Sequence, residues 1–159
     1  MRYKVTTEKK GKTDRYRNRP GRIYAVLGDG ELQEGLIWEA AMAASHYKLD
    51  NMVAIIDHNG LQIDGRNDDV MTVNPVGAKF ESFGWNVVSA EGNSVESLCS
   101  AFKKARECKG RPTAIVAETV KGKGVSFMEN QAGWHGKAPN DEQTQQAIAE
   151  IEAAAAAVK

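Results

Sequence analysis

Asp29 and Asn59 stand thirty residues apart, and each closes a short apolar run beside glycine, in Gly28-Asp29-Gly30 and in Asn59-Gly60. A carboxylate and a carboxamide oxygen held at two strand ends suit a hard divalent cation, Mg²⁺ or Ca²⁺. Mg²⁺ takes only one or two protein carboxylates and fills its octahedron with water and phosphate oxygens. The glycines around Asp29 let an anion approach the backbone at Gly30, and the helix that follows offers free N–H groups at its start. Either pair alone is an ordinary turn. Two of them, each after an apolar run, make a candidate metal and phosphate site.

A third group is His135, in Trp134-His135-Gly136 on a glycine-rich stretch. An imidazole gives or takes a proton near neutrality, which suits acid–base work. Glu34 falls at the start of a predicted helix, where the dipole already favours a carboxylate. The remaining candidates have plain readings. Lys121 and Lys123 alternate with glycines and read as solvated. His58 reads as packing and His46 as the polar end of a helix face. Trp38 reads as core, Trp134 as a possible flank of the site, and the three tryptophans (with Trp85) form no stacking platform for bases.

The elements that hold these groups follow from periodicity. Arg22–Leu27 and Met52–Asp57 are continuous apolar runs, as in buried parallel strands. Between them Ile37, Ala40, Ala41, Ala44 and Tyr47 recur at helical spacing over residues 33–47. This strand–helix–strand unit puts Asp29 and Asn59 just past the carboxyl ends of its strands, the edge where open parallel sheets bind ligands. Residues 59–74 read as a loop. A short helix opens at Pro75 and runs to Phe83, with Val76, Lys79, Phe80 and Phe83 on one face. Asn86–Ser89 is a strand. Asn93 with Glu96 predicts a capping box for a helix that turns Val95, Leu98, Phe102 and Ala105 inward and Lys103, Lys104 and Arg106 outward. Ala114–Ala117 is the next strand, residues 119–140 are a long functional loop, and Asn140 caps a final Ala-rich helix over residues 141–158. Alternating strands and helices predict an α/β protein, three layers α/β/α around a mainly parallel sheet.

Size and charge narrow the rest. At 159 residues one domain is the natural count. No apolar run approaches a membrane span, and the start lacks the apolar region of a secretory signal. Cys99 and Cys108 are nine apart in one predicted helix, which excludes a bridge within it and matches no metal spacing, so reduced thiols and a cytoplasmic setting are expected. Residues 1–22 hold nine Lys or Arg against Glu8 and Asp14, a charge of +7 in a chain that is neutral as a whole. This basic leader, residues 1–21, is read as a solvated arm. Without aromatic spacing or a recognition helix it points to no nucleic acid.

Three blocks, in order, resemble one family. They are Gly28-Asp29-Gly30-Glu31-Leu32-Gln33-Glu34-Gly35 with Trp38-Glu39-Ala40-Ala41, then Asp57-His58-Asn59-Gly60-Leu61-Gln62-Ile63-Asp64-Gly65, then Lys121-Gly122-Lys123-Gly124 through Trp134-His135-Gly136-Lys137-Ala138-Pro139. Together, over residues 22–143, they resemble the thiamine-diphosphate-binding N-terminal section of transketolases. The resemblance covers the second half of such a section, residues 22–159 being a partial diphosphate-side domain of a fold truncated at its N-terminus.

The resemblance implies thiamine diphosphate and Mg²⁺ (or Ca²⁺) as cofactors. Asp29, Asn59 and the Leu61 carbonyl would be metal ligands, with Gly30, Asn59 and His135 at the cofactor. His135 would be catalytic, and Glu34 part of an acidic network linking two active sites across a dimer. It implies two-carbon ketol transfer between sugar phosphates, in a homo- or hetero-oligomer with a transketolase C-terminal section or other pyrimidine-domain chain that carries the activating glutamate. By itself the chain is expected to be inactive and prone to associate. Two other readings stand beside this one: an inactive truncated domain kept for cofactor or partner binding, and a part of another thiamine-diphosphate enzyme.

Overall fold

The computed structural model describes residues 21–157. The basic leader, apart from Gly21, lies outside the described residues, as does Val158 at the end of the last predicted helix. The described chain is an α/β three-layer unit. Four strands, β1 (Ile23–Gly28), β2 (Met52–His58), β5 (Asn86–Glu91) and β6 (Thr113–Glu118), form one parallel sheet in the order β1-β2-β6-β5. A two-residue antiparallel ribbon, β3 (Leu61–Gln62) with β4 (Gly65–Arg66), stands apart from it.

Connection handedness decides which face each helix covers. The chain moves across the sheet from β1 to β2 through α1 (Gly35–His46). It then passes over β6 to reach β5 through a short α2 (Asn67–Val70) and α3 (Val76–Ser82). It returns from β5 to β6 through α4 (Val95–Glu107), so the direction reverses there. Right-handed crossovers therefore put α1 and α3 on one face and α4 on the other.

The two cores record this division. Ala54, Ile56, Ala114 and Val116 of the sheet pack with Ala41 and Ala44 of α1, with Val76 and Phe80 of α3, and with Trp85. Val53, Ile115, Val88 and Ala90 point the other way, onto Ala101, Ala105, Leu98 and Phe102 of α4. Alternate residues of β2 and β6 thus feed different cores, and β6, buried from Thr113 to Ala117, is apolar or small throughout. Small side chains let α1 lie close: Ala44 is fully buried, and the Ala41 carbonyl accepts the Trp85 indole N–H at 2.9 Å. Trp38 does pack as predicted, against the rings of Phe80 and Phe83.

Several boundaries differ from expectation. The helix predicted from Gln33 begins at Gly35, because Gly30–Gln33 is a 3-10 turn of its own. Pro75 is the cap of α3 rather than its first residue. The cap of α4 is Ser94, not Asn93: Ser94 Oγ accepts from the Ser97 N–H, and Ser97 Oγ from the Glu91 N–H. Asn93 instead accepts the N–H of Val120 with its side chain and ties this corner to the long loop. Starting one residue later rotates Val95 out to solvent, at 78% exposure, and brings Ala101 inward with Ala105. Asn140 and Gln143 do make the reciprocal cap predicted for α5 (Asp141–Ala157). No helix of the described residues is long and apolar enough to cross a membrane.

Candidate functional site

The carboxyl ends of β1, β2 and β6 finish level, with Gly28 opposite Asp57 and His58 opposite Glu118. The three segments leaving these ends carry the groups singled out above. Asp29 follows β1, Asn59 follows β2, and the loop after β6 leads to Lys121 and His135.

Asp29 is only 1% exposed, yet ionisable. Its Oδ1 accepts the N–H of Gly30 at 2.9 Å and its Oδ2 the N–H of Gly60 at 2.6 Å. Its own N–H donates to the Asp57 carbonyl at 3.1 Å. One carboxylate therefore joins the two turns that the sequence singled out. Among the described residues no Lys or Arg pairs with it. Asn59 Oδ1 accepts the N–H of Leu61 at 3.0 Å, a tight Asx turn that aims the loop back over the strand ends.

Gly30 is held by a close approach. A Cβ there would stand 2.8 Å from Gln62 Cβ and 3.5 Å from Asn67 Oδ1. Since Gln62 Cβ is fixed to its backbone, Gly30→Ala is expected to cost about 1–3 kcal/mol of stability through overpacking, read from the midpoint of urea unfolding. An unchanged midpoint would show that the ribbon yields.

Around this centre the donors and acceptors interlock. The Asn67 N–H donates to the Gly60 carbonyl at 2.9 Å. The Thr119 hydroxyl donates to Asp57 Oδ1. His58, read from sequence as packing, is clamped instead: Nδ1 meets both Glu118 oxygens at 2.9 and 2.8 Å, and Nε2 lies 3.1 Å from Asn74 Oδ1. The clamp pins the end of β2, next to Asn59, to the end of β6.

The long loop is folded on itself. Lys121 C=O accepts from the Asn130 N–H, and Val125 is buried. Gly122 has φ +73°, and a Cβ there would lie 2.7 Å from the Met128 carbonyl oxygen. Trp134 donates its indole N–H to the Phe127 carbonyl at 3.0 Å, with the two rings 5.4 Å apart. That anchoring carries the 3-10 turn Ala132–Trp134 against β4 and so brings His135 to the site end of the sheet. The structure also puts Lys121 there, with its Nζ 3.5 Å from His135 Nδ1. Sequence reasoning treated Lys121 as solvated. The signal was its place three residues past a strand end, the position from which Asp29 and Asn59 also act. Glu34 stands apart. It caps α1 through its backbone, and its exposed carboxylate makes no cap bond.

Two carboxylates brace the loop. The Glu129 carboxyl is held below its usual range chiefly by the Gly124 N–H, and the Glu150 carboxyl of α5 chiefly by the Ser126 N–H. Glu150 also accepts from the Ser126 hydroxyl at 2.7 Å. Because both folded-state values are lowered, the bracing is complete above the ordinary glutamate pKa and is lost as pH falls through the lowered values. Amide exchange at Ser126 and Gly124, corrected for intrinsic rate, is expected to lose protection on acidification below that range. Protection that stays constant would show the bonds are not what orders the loop.

The donor set fits an oxygen-seeking cation. It offers one buried carboxylate, one carboxamide oxygen and main-chain groups, with no Cβ in the way at Gly30. Among the described residues no three His, Cys, Asp or Glu side chains converge, so a site here needs oxygens from its ligand.

Comparison with known proteins agrees with this geometry. The family model described as transketolase, thiamine diphosphate binding domain, matches residues 5–154. One of the two subunits named for apulose-4-phosphate transketolase, from Phocaeicola vulgatus, is 42% identical over 130 residues, covering 82% of this chain and 46% of that protein. The 6-deoxy-6-sulfo-D-fructose transketolase subunit SqwG of a Clostridium species is 40% identical over 133 residues, covering 84% and 48%. Human transketolase is 45% identical over 133 residues, covering 82% of this chain and 20% of its own. The chain thus spans about half the length of these two bacterial relatives and a fifth of the human enzyme. Among solved structures, transketolase from Campylobacter jejuni superposes with a TM-score of 0.77 at 32% identity, covering 83% of this chain and 21% of that one. The chain belongs to the transketolase family and carries its thiamine diphosphate-binding domain.

Proposed function

We propose that this chain holds the diphosphate end of thiamine diphosphate through a divalent cation, Mg²⁺ or Ca²⁺, and serves two-carbon ketol transfer between sugar phosphates in an assembly with a pyrimidine-domain chain. The observation that carries the reading is Asp29: a buried carboxylate at two level strand ends, bonded by the N–H groups of both neighbouring turns and paired with no cationic side chain among the described residues. When bound, thiamine diphosphate supplies the nucleophilic centre and electron sink that carbon–carbon cleavage beside a carbonyl requires.

Within that reading Asp29, Asn59 and the Leu61 carbonyl ligate the cation, and the Gly30 N–H donates to a diphosphate oxygen. Lys121 can only donate, so its neighbour His135 Nδ1 acts as acceptor and the neutral ring carries its proton on Nε2. His135 Nε2 is then the atom that gives or takes a proton at the substrate's reacting end. Glu34, exposed at the start of α1, is available to a second chain, as the acidic network of the family would need. Two relatives bear names that call them subunits, which supports a partner chain here as well. A solved relative from Pichia stipitis is a complex with sedoheptulose-7-phosphate, which supports sugar phosphates as the substrate class.

Titration calorimetry of the full chain with thiamine diphosphate tests the cofactor reading. Binding in Mg²⁺ that disappears with a chelator is expected. Absent or metal-independent binding overturns it. Ketol transfer is expected only on mixing with a pyrimidine-domain chain, and turnover by the purified chain alone would refute the division of labour.

A further inference from the structure

Two buried amides under the Asp29–Gly30 turn have hydrogen-bonding atoms without partners. Asn67 is 2% exposed, and neither its Oδ1 nor its Nδ2 makes a hydrogen bond. Gln62 Nε2 is buried and unpartnered in the same way. Both side chains press on Gly30, whose missing Cβ would meet Gln62 Cβ at 2.8 Å and Asn67 Oδ1 at 3.5 Å. Asn67 is also tied to the second turn, since its N–H donates to Gly60 O and the Gly60 N–H donates to Asp29 Oδ2. Buried polar groups are nearly always paired, and each unmade bond lowers stability. An apolar side chain would fill the Asn67 position more favourably.

We propose that Asn67, with Gln62 beside it, is a positioning residue of the cation–diphosphate site, whose amide comes into use only when the turn takes up its ligand. The reason lies in Asp29, whose two oxygens are both engaged by main-chain N–H groups, of Gly30 and of Gly60. A cation drawing on the same oxygens weakens both bonds. Asn67 Oδ1, against Gly30, is the buried acceptor at hand for a displaced donor, and Gln62 Nε2 is a donor left over beside it. The chain therefore gives up stability in its empty state to hold the turn in its filled one. This inference rests on the cofactor reading above, and the test separates the two.

Asn67→Leu keeps a similar volume and removes the amide. Without ligand the variant is expected to melt at a higher temperature than the natural chain. In Mg²⁺ it is expected to bind thiamine diphosphate about tenfold more weakly. Asn67→Thr, which restores one hydroxyl, should recover part of that affinity. A structural amide would move the melting temperature the other way, so a lower midpoint, or failure to fold, overturns the proposal. Unchanged affinity of Asn67→Leu does the same. If Asp29→Ala loses binding while Asn67→Leu binds like the natural chain, only this inference falls. If the natural chain itself does not bind, the cofactor reading falls and takes this one with it.

Discussion

Asp29→Ala is expected to raise the dissociation constant for thiamine diphosphate in Mg²⁺ by about two to three orders of magnitude. Removing one partner of a buried charge interaction costs about 3–5 kcal/mol, and each 1.4 kcal/mol is tenfold. Two effects add. The cation loses its single protein carboxylate, so the diphosphate charge is poorly compensated. The N–H groups of Gly30 and Gly60 also lose the oxygens that hold the two turns together. Asn59→Ala removes a neutral oxygen and should do less. Calorimetric titration of both variants checks the order, and an Asp29→Ala chain with unchanged affinity would remove Asp29 from the metal site. The ligand-free variant should also unfold more easily, because two buried donors are left without acceptors.

His135→Ala is expected to lower turnover of the assembled enzyme by about 10² to 10⁴, the range for a lost general acid–base group, with a much smaller change in cofactor affinity. The split follows from its position. His135 lies on the loop, beside Lys121, whereas Asp29 and Asn59 lie at the strand ends. Steady-state rates with and without the substitution, alongside a titration, separate the two roles. Equal losses in affinity and turnover would make His135 a cofactor-holding group, and unchanged turnover would exclude it from the chemistry. Lys121→Met should act in the same direction through the ring it faces, by releasing Nδ1 from its donor.

Much of this protein was legible in one dimension. Apolar runs ending at Gly28 and Asp57, a helical period between them, and Asp29 and Asn59 just past the runs are local facts of residue type and spacing. A parallel α/β unit with a ligand at its strand ends follows from them. The same holds for the Asn140–Gln143 cap, made by residues three apart. Tertiary structure decided the rest, because it rests on contacts between segments far apart in the chain. Strand order depended on the passage over β6, which no periodicity reports. The Ser94 cap won over Asn93 because the Asn93 side chain was taken by Val120, twenty-seven residues on, and Val95 turned outward with it. His58 became a clamp only because Glu118 stands opposite it in the next strand. Lys121 joined the site because the Phe127–Trp134 contact folds its loop back. Asn67, one polar residue in a polar loop by sequence, became a buried amide against Gly30 because folding placed it there. Side-chain chemistry and short-range period are written residue by residue, whereas pairing, burial and partner choice exist only once the layers have closed.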